Sequence, residues 1–121
     1  MAISGHPLRD TAELAQGCAG GLRLHTRESR RVTLGSPSEF EVDVGENRCL
    51  RVLAASDGPQ LTVSIIGEQG QTLASGGWGE SVAAAPVSGP FCIRVPTHLR
   101  IAVSATLDAN IVAELWQSEG P

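Results

Sequence analysis

Residues 39–66, EFEVDVGENRCLRVLAASDGPQLTVSII, decide the fold of this chain. The stretch opens with strict alternation, in which Phe40, Val42 and Val44 are apolar and the residues between them are acidic. Alternation with a period of two places one apolar face on a core and one polar face in water. Two further apolar runs follow, and short segments rich in Gly, Asn, Asp and Pro separate the three runs. This pattern predicts three consecutive β-strands.

Similar short runs continue to residue 117, at a spacing of roughly ten residues that is typical of sandwiches and jelly rolls. We therefore predict an all-β fold, an antiparallel β-sandwich or jelly roll of about 8–9 short strands. Hydrophobic residues make up 41% of the 121 residues and aromatic residues only 3%, so the core must be aliphatic. The predicted organisation is an N-terminal arm or short helix over 1–20, one sandwich domain over 21–117 and a tail over 118–121.

The N-terminal segment carries one helix signal. Asp10 and Glu13 have the spacing of a capping box, with Asp10 as the N-cap, which predicts a helix of two turns over 11–16. Because isolated helices of this length are marginal, a flexible arm is the alternative.

The charge balance argues against several partners. A net charge of −4 and a pI near 5.2 are unlike those of proteins that bind nucleic acid or anionic membranes. The basic stretch over 23–31 is interrupted by Glu28 and has no aromatic residues for base stacking, so we interpret it as a solvated strand face and loop. No run approaches the roughly 18 apolar residues that span a bilayer. We predict neither a nucleic-acid partner nor a membrane span.

Residues 36–117 resemble the bacterial pre-peptidase C-terminal (PPC-like) jelly-roll domains. The residues that carry the resemblance are EFEVDVG at 39–45, LTVSII at 61–66, GQTLA at 70–74 and GPFCIRV at 89–95. The resemblance implies a non-catalytic binding or processing module of the kind appended to secreted bacterial enzymes or surface proteins. Some such domains bind calcium or polymeric substrates. The usual acidic pair at the start of the Leu61 strand is missing here, which weakens the expectation of calcium.

The cysteines offer a link between strands. Cys49 and Cys92 each lie one residue into a predicted strand, and each shares its alternation phase with an arginine two residues later. If the two strands are neighbours, the sulfurs can form a disulfide, which implies an oxidising compartment. The alternatives are that both thiols are reduced, or that Cys18 pairs with one of them. A secreted or periplasmic location is favoured if a leader was removed, and a cytoplasmic one otherwise.

Motifs for catalysis are missing from the sequence. There is no Gly-x-Ser-x-Gly elbow, Walker loop or His-Glu-x-x-His, and the three histidines are scattered. We therefore predict that the protein is not an enzyme and uses no cofactor or metal.

Loops at one end of the sandwich form the candidate binding site. Strands joined by short loops alternate in direction, so counting along the predicted strands brings the loops 56–60, 75–80 and 96–98 to one end. That end would carry four candidate ligand-binding residues, Asp57, Trp78, Glu80 and His98. An exposed tryptophan beside polar groups suits a sugar ring or a protein partner. The alternatives are that Trp78 caps the core, or that the three titratable residues bind a divalent metal.

Three functions follow from these observations. The first is a non-catalytic binding or accessory module of an exported bacterial protein that contacts a glycan or protein partner through this loop end. The second is a structural subunit that forms a homo-oligomer by donating residues 1–35 as an edge strand, through Leu22, Leu24, Val32 and Leu34. The third, a small jelly-roll enzyme, has the least support.

Overall fold

The computed structural model describes residues 3–77 and 80–118 as nine antiparallel strands in two facing sheets, with one helix. The predicted all-β sandwich is confirmed. The elements are α1 (Pro7–Cys18), β1 (Arg23–Val32), β2 (Ser38–Val44), β3 (Arg48–Ser56), β4 (Leu61–Ile66), β5 (Thr72–Gly76), β6 (Val82–Ala85), β7 (Phe91–Ile93), β8 (Thr97–Ala105) and β9 (Ala109–Gln117).

Each sheet has its own strand order. The five-stranded sheet runs β1-β9-β3-β6, with β7 also paired to β3, and is called the helix-side sheet because α1 packs on its outer face. The four-stranded sheet runs β2-β8-β4-β5 and is called the open sheet. Residues 45–48 have the composition of a hairpin turn, but β2 and β3 belong to different sheets and this segment crosses between them. The alternation that predicted both strands is the same whether they pair or face each other.

The core between the sheets is built from alternate residues of the strands. In β2 the apolar residues Phe40, Val42 and Val44 are buried and the acidic residues between them are exposed, as the sequence indicated. The other buried residues of this core are aliphatic, and Leu50, Ile65, Ile101 and Leu115 are among the largest. Side chains of this size fill the roughly 10 Å between packed sheets.

The helix α1 covers the outer face of the helix-side sheet. Leu14 packs into a second apolar cluster with Leu53 and Val82, and Trp116 borders that cluster. One face of β3 meets the open sheet and the other meets the helix. Both faces of this strand are therefore buried and largely apolar. Among the described residues, no helix has the length and apolarity needed to cross a membrane.

The start of α1 differs from the expectation. The helix begins at Pro7 and ends at Cys18, so it is longer than the predicted 11–16, and the expected N-cap at Asp10 is wrong. Proline fits the first helical turn because the amide it lacks would have no partner there. Asp10 lies inside the helix and accepts hydrogen bonds from the Ser4 amide and hydroxyl, at 2.9 and 2.7 Å, and from the Gly5 amide at 3.1 Å.

These contacts set the charge state of Asp10. Burial acts to raise the pKa of this carboxyl, but the hydrogen bonds from Ser4 and Gly5 and the charge of Arg9 outweigh it, so the pKa lies below its ordinary value. The ionised side chain thereby holds the segment before the helix against its first turn.

One edge of the helix-side sheet is an interrupted strand. β6 pairs with the second half of β3, Val52 to Ala55, and β7 pairs with the first half, Arg48 to Leu50, and both run antiparallel to β3. The chain therefore keeps its direction across residues 86–90, although two prolines and a glycine there are typical of a turn that reverses the chain. Turn residues occur at this break, but the same residue types occur whether a chain reverses or forms a short loop and then rejoins the same sheet edge. The loop over residues 86–90 is called the excursion.

Candidate functional site

The structure brings two of the four predicted binding residues to one end of the sandwich. Asp57 follows β3 and Glu80 precedes β6, and the Leu61 amide donates to the Glu80 carbonyl at 3.2 Å. This end is called the Asp57 end. Trp78 lies outside the described residues.

His98 is at the opposite end, so the predicted grouping of all three titratable residues is wrong. It pairs with Asp43 at the end of β2, and β8 begins beside the end of β4. The error comes from residues 86–90. Because the chain does not reverse there, every later loop moves to the other end of the sandwich. The alternative of a metal held jointly by Asp57, Glu80 and His98 is wrong for the same reason.

Asp57 is a structural side chain rather than a free ligand group. Its two carboxylate oxygens accept hydrogen bonds from the Asn110 amide and side chain, each at 3.1 Å. The Asp57 amide in turn donates to the Asn110 carbonyl at 3.0 Å. These bonds join the connection after β3 to the start of β9, and they fix the shape of the Asp57 end.

A polar depression of about 270 Å³ lies at the Asp57 end, on the outer face of the open sheet. Residues 60–62, 77 and 104–106 line it. Thr62 and Ser104 lie opposite each other on β4 and β8, and both side chains are exposed. Among the described residues neither hydroxyl has a hydrogen-bond partner. The Gly77 backbone forms one wall, where an added Cβ would lie 2.8 Å from the Leu61 carbonyl oxygen.

Sequence reasoning missed this depression. Thr62 and Ser104 occupy solvent-facing positions of ordinary alternating strands, which carry small polar residues in most sandwiches. Only the pairing of β4 with β8 sets the two side chains opposite each other, and that pairing joins residues about forty positions apart in the chain. The sequence carries no local signal for it.

The surroundings of His98 are acidic. Its Nδ1 lies 2.7 Å from Asp43 Oδ1, its Nε2 lies 3.3 Å from Glu41 Oε1, and its backbone amide donates to Glu68 at 2.8 Å. Hydrogen bonds to Asp43 and Glu41 raise the pKa of His98 above its ordinary value. In a nucleophile–histidine–carboxylate triad the second ring nitrogen faces a hydroxyl or thiol. Here both nitrogens face carboxylates, which favour the protonated ring, and neither nitrogen faces a hydroxyl or thiol.

Cys49 and Cys92 form a disulfide with a sulfur–sulfur distance of 1.96 Å. They lie opposite each other on β3 and β7, so the two strands are neighbours, which is the condition that the sequence set for this disulfide. Cys18 is a free thiol and half-buried at the end of α1. Within 3–77 and 80–118, no three His, Cys, Asp or Glu side chains are placed to share a metal ion.

No protein-family model matches this chain, and no curated protein matches it. The resemblance to PPC-like domains therefore stays a prediction from sequence.

Proposed function

We propose that this domain is a non-catalytic binding module that contacts a glycan through the polar depression at the Asp57 end. The observation that carries the proposal is the pair of unpartnered hydroxyls of Thr62 and Ser104, which face the same depression from neighbouring strands. A sugar presents many hydroxyls that both donate and accept, and serine and threonine hydroxyls can match either role.

The size and setting of the depression fit this ligand. Its volume of about 270 Å³ lies just below the range of clefts that enclose drug-sized ligands, roughly 300–1,000 Å³. An open depression of this size suits one ring of a longer chain that continues across the surface. The paired strands hold its walls, and the Thr106 amide donates to the Gln60 carbonyl at 2.9 Å between two lining residues, so little ordering is needed on binding.

The disulfide supports the exported location that belongs to this proposal. Disulfides persist in secreted and periplasmic proteins and are rare where thiols are kept reduced. An exported β-sandwich that binds a polymer is also what the resemblance to PPC-like domains implies.

The test is binding to a panel of neutral oligosaccharides by isothermal titration calorimetry, with Thr62→Val and Ser104→Ala as variants. Each variant removes one hydroxyl with little change of shape. We expect a loss of roughly 2–10-fold in affinity from each, because one hydrogen bond is worth about 0.5–1.5 kcal/mol. Ser64→Ala is the matched control, because Ser64 lies on β4 but does not line the depression. The proposal fails if the native protein binds none of the panel, or if both variants bind as the native protein does.

Self-assembly is the second candidate function. Residues 1–35, the predicted donor segment, contain β1. This strand lies at the edge of its own sheet and pairs with β9. Of the four nominated apolar residues, Val32 is buried in the core of the same molecule and Leu34 is 63% exposed. The edge position of β1 is the observation that favours assembly.

A further inference from the structure

Two strand edges on one side of the sandwich have no partner. β1 is the outer strand of the helix-side sheet and β2 is the outer strand of the open sheet. Within the described residues, β1 pairs only with β9 and β2 pairs only with β8. The two edges lie one above the other, because the Arg30 guanidinium lies over the Phe40 ring at 5.9 Å. An unpaired edge presents backbone donors and acceptors that can pair with another strand.

The charges of the two edges are opposite. β1 carries four arginines and one glutamate, which gives +3, with His25 taken as neutral. β2 carries two glutamates and one aspartate and no basic residue, which gives −3. The β1 edge is regular over the seven residues from Thr26 to Val32, after a bulge beside Leu24, and β2 is also seven residues long. The two edges therefore match in length and complement each other in charge.

The symmetry of the fold allows both edges to be paired at once. β1 and β2 follow each other through a tight connection and run in opposite directions. A twofold rotation about an axis parallel to the strands, placed beside these edges, exchanges the two sheet levels and keeps the strand directions. It sets β1 of one copy antiparallel to β2 of the other, and the reverse pair forms at the same time. Such an interface is closed and uses the same surface on both copies.

We propose that this chain forms a homodimer in which β1 of each copy pairs with β2 of the other, so that each sheet continues into the partner. The rotation keeps the outward faces on the outside. On that face, the register that sets Arg31 opposite Glu39 also sets Arg27 opposite Asp43, because residue numbers rise along one antiparallel strand as they fall along the other. Cross-strand pairs of opposite charge stabilise an antiparallel ladder, whereas like charges destabilise it.

The contacts that Arg31 and Glu39 make within one molecule leave them able to pair across the proposed interface. Arg31 is exposed and has no partner among the described residues. Glu39 lies 3.1 Å from Arg100 on its own sheet and is about half exposed, so it can face both cations across adjacent strands. Arg27 is already bound to the buried Glu114 at 2.7 Å, which makes it a poor choice for mutation.

The experiment is sedimentation velocity on the native chain and on two charge-reversal variants, Arg31→Glu and Glu39→Arg. We expect the native chain to sediment as a dimer with twice the 12.6 kDa of the monomer. Each variant alone places like charges opposite each other at both strand pairs, so we expect each to sediment as a monomer. An equimolar mixture restores an opposite pair at both positions, so we expect a heterodimer. Arg94→Glu makes the same charge change in an exposed connection away from both edges and should leave the dimer intact.

The mixing experiment separates the interface from folding. Circular dichroism of each variant shows whether it retains the native fold, and a variant that fails to fold is replaced by Arg31→Gln or Glu39→Gln, which should weaken the dimer without reversing the charge. The proposal is overturned if the native chain stays a monomer at all concentrations, if it forms larger open assemblies, if folded Arg31→Glu still dimerises alone, or if the mixture of folded variants does not dimerise.

Discussion

Arg51 is a buried cation, 7% exposed, that binds three backbone carbonyls from two distant segments. Its Nε donates to Pro86 at 2.9 Å, one terminal nitrogen donates to Cys18 at 3.0 Å, and the other donates to Val87. The planar guanidinium thus joins the end of α1 to the excursion that separates β6 from β7. Its neighbours in the chain are apolar strand residues, so the sequence shows no reason for a charge at this position.

We expect Arg51→Ala to destabilise the protein by about 2–4 kcal/mol, because it removes a buried side chain together with the donors to three backbone carbonyls. Arg51→Lys keeps the charge, but a single ammonium cannot reproduce the fork, so we expect only a partial recovery. Urea denaturation of the three proteins is the measurement. Equal stability of the alanine variant and the native protein would show that these carbonyls find water instead.

His98 gives a pH dependence whose sign follows from its raised pKa. The pKa of His98 is higher in the folded state than its ordinary value of 6.5, so the protonated ring stabilises the fold. This stabilisation is fully present below pH 6.5 and is lost as the pH rises through the folded pKa. We expect His98→Gln to lower the melting temperature at about pH 5.5 and to have little effect at about pH 9. Calorimetry at both values is the test, and a loss of the same size at both would contradict the assignment.

The strand face on which a side chain lies could be predicted where the residue belongs to an alternating run. Cys49 and Cys92 are such residues. The burial of Arg51 and Glu114 could not be predicted, since each owes its burial to partners far away in the chain. Glu114 is buried beside α1, where it binds Arg27 and accepts a hydrogen bond from the Trp116 indole at 3.1 Å.

At the scale of elements, the two sheets approach each other closely where β5 meets β6. An added Cβ at Gly76 would lie 1.7 Å from the Ala84 carbonyl oxygen, so only glycine fits at this position. The strands themselves were predictable from period-two alternation. Their pairing was not, because the same turn residues accompany a hairpin, a crossing between sheets such as 45–48, and an excursion such as 86–90.

We expect Gly76→Ala to force β5 away from β6 and to destabilise the protein by more than about 2 kcal/mol. Gly17→Ala is the matched control, because a Cβ there meets nothing within 4 Å and alanine is a better helix former than glycine. Thermal melts of both variants give the comparison. A Gly76→Ala protein as stable as the native one would mean that β5 does not lie at this distance.

At the scale of the whole molecule, the interrupted edge of the helix-side sheet is stabilised by a helix, a disulfide and a buried arginine. α1 packs beside β6, Arg51 binds the excursion, and the disulfide holds β7 to β3. The opposite edges, β1 and β2, carry no such reinforcement in the described residues. The sandwich therefore has one side that these contacts reinforce and one side without them among the described residues.

The disulfide should be visible both in mass and in stability. We expect alkylation of the native protein to label one of its three cysteines before reduction and all three after it. Replacing Cys49 and Cys92 together by alanine should cost about 4 kcal/mol, the chain-entropy value for a loop of 43 residues. Three reactive thiols in protein taken from its source would contradict both the bond and the exported location.

The central claim is that the Asp57 end binds a glycan, and the most direct measurement is ¹H–¹⁵N NMR of the full chain during titration with oligosaccharides that bind in calorimetry. We expect the shifted amides to cluster at residues 60–62, 77 and 104–106, with those around His98 unchanged. Shifts that cluster around His98 or along β1, or no shifts at the depression, would contradict the account.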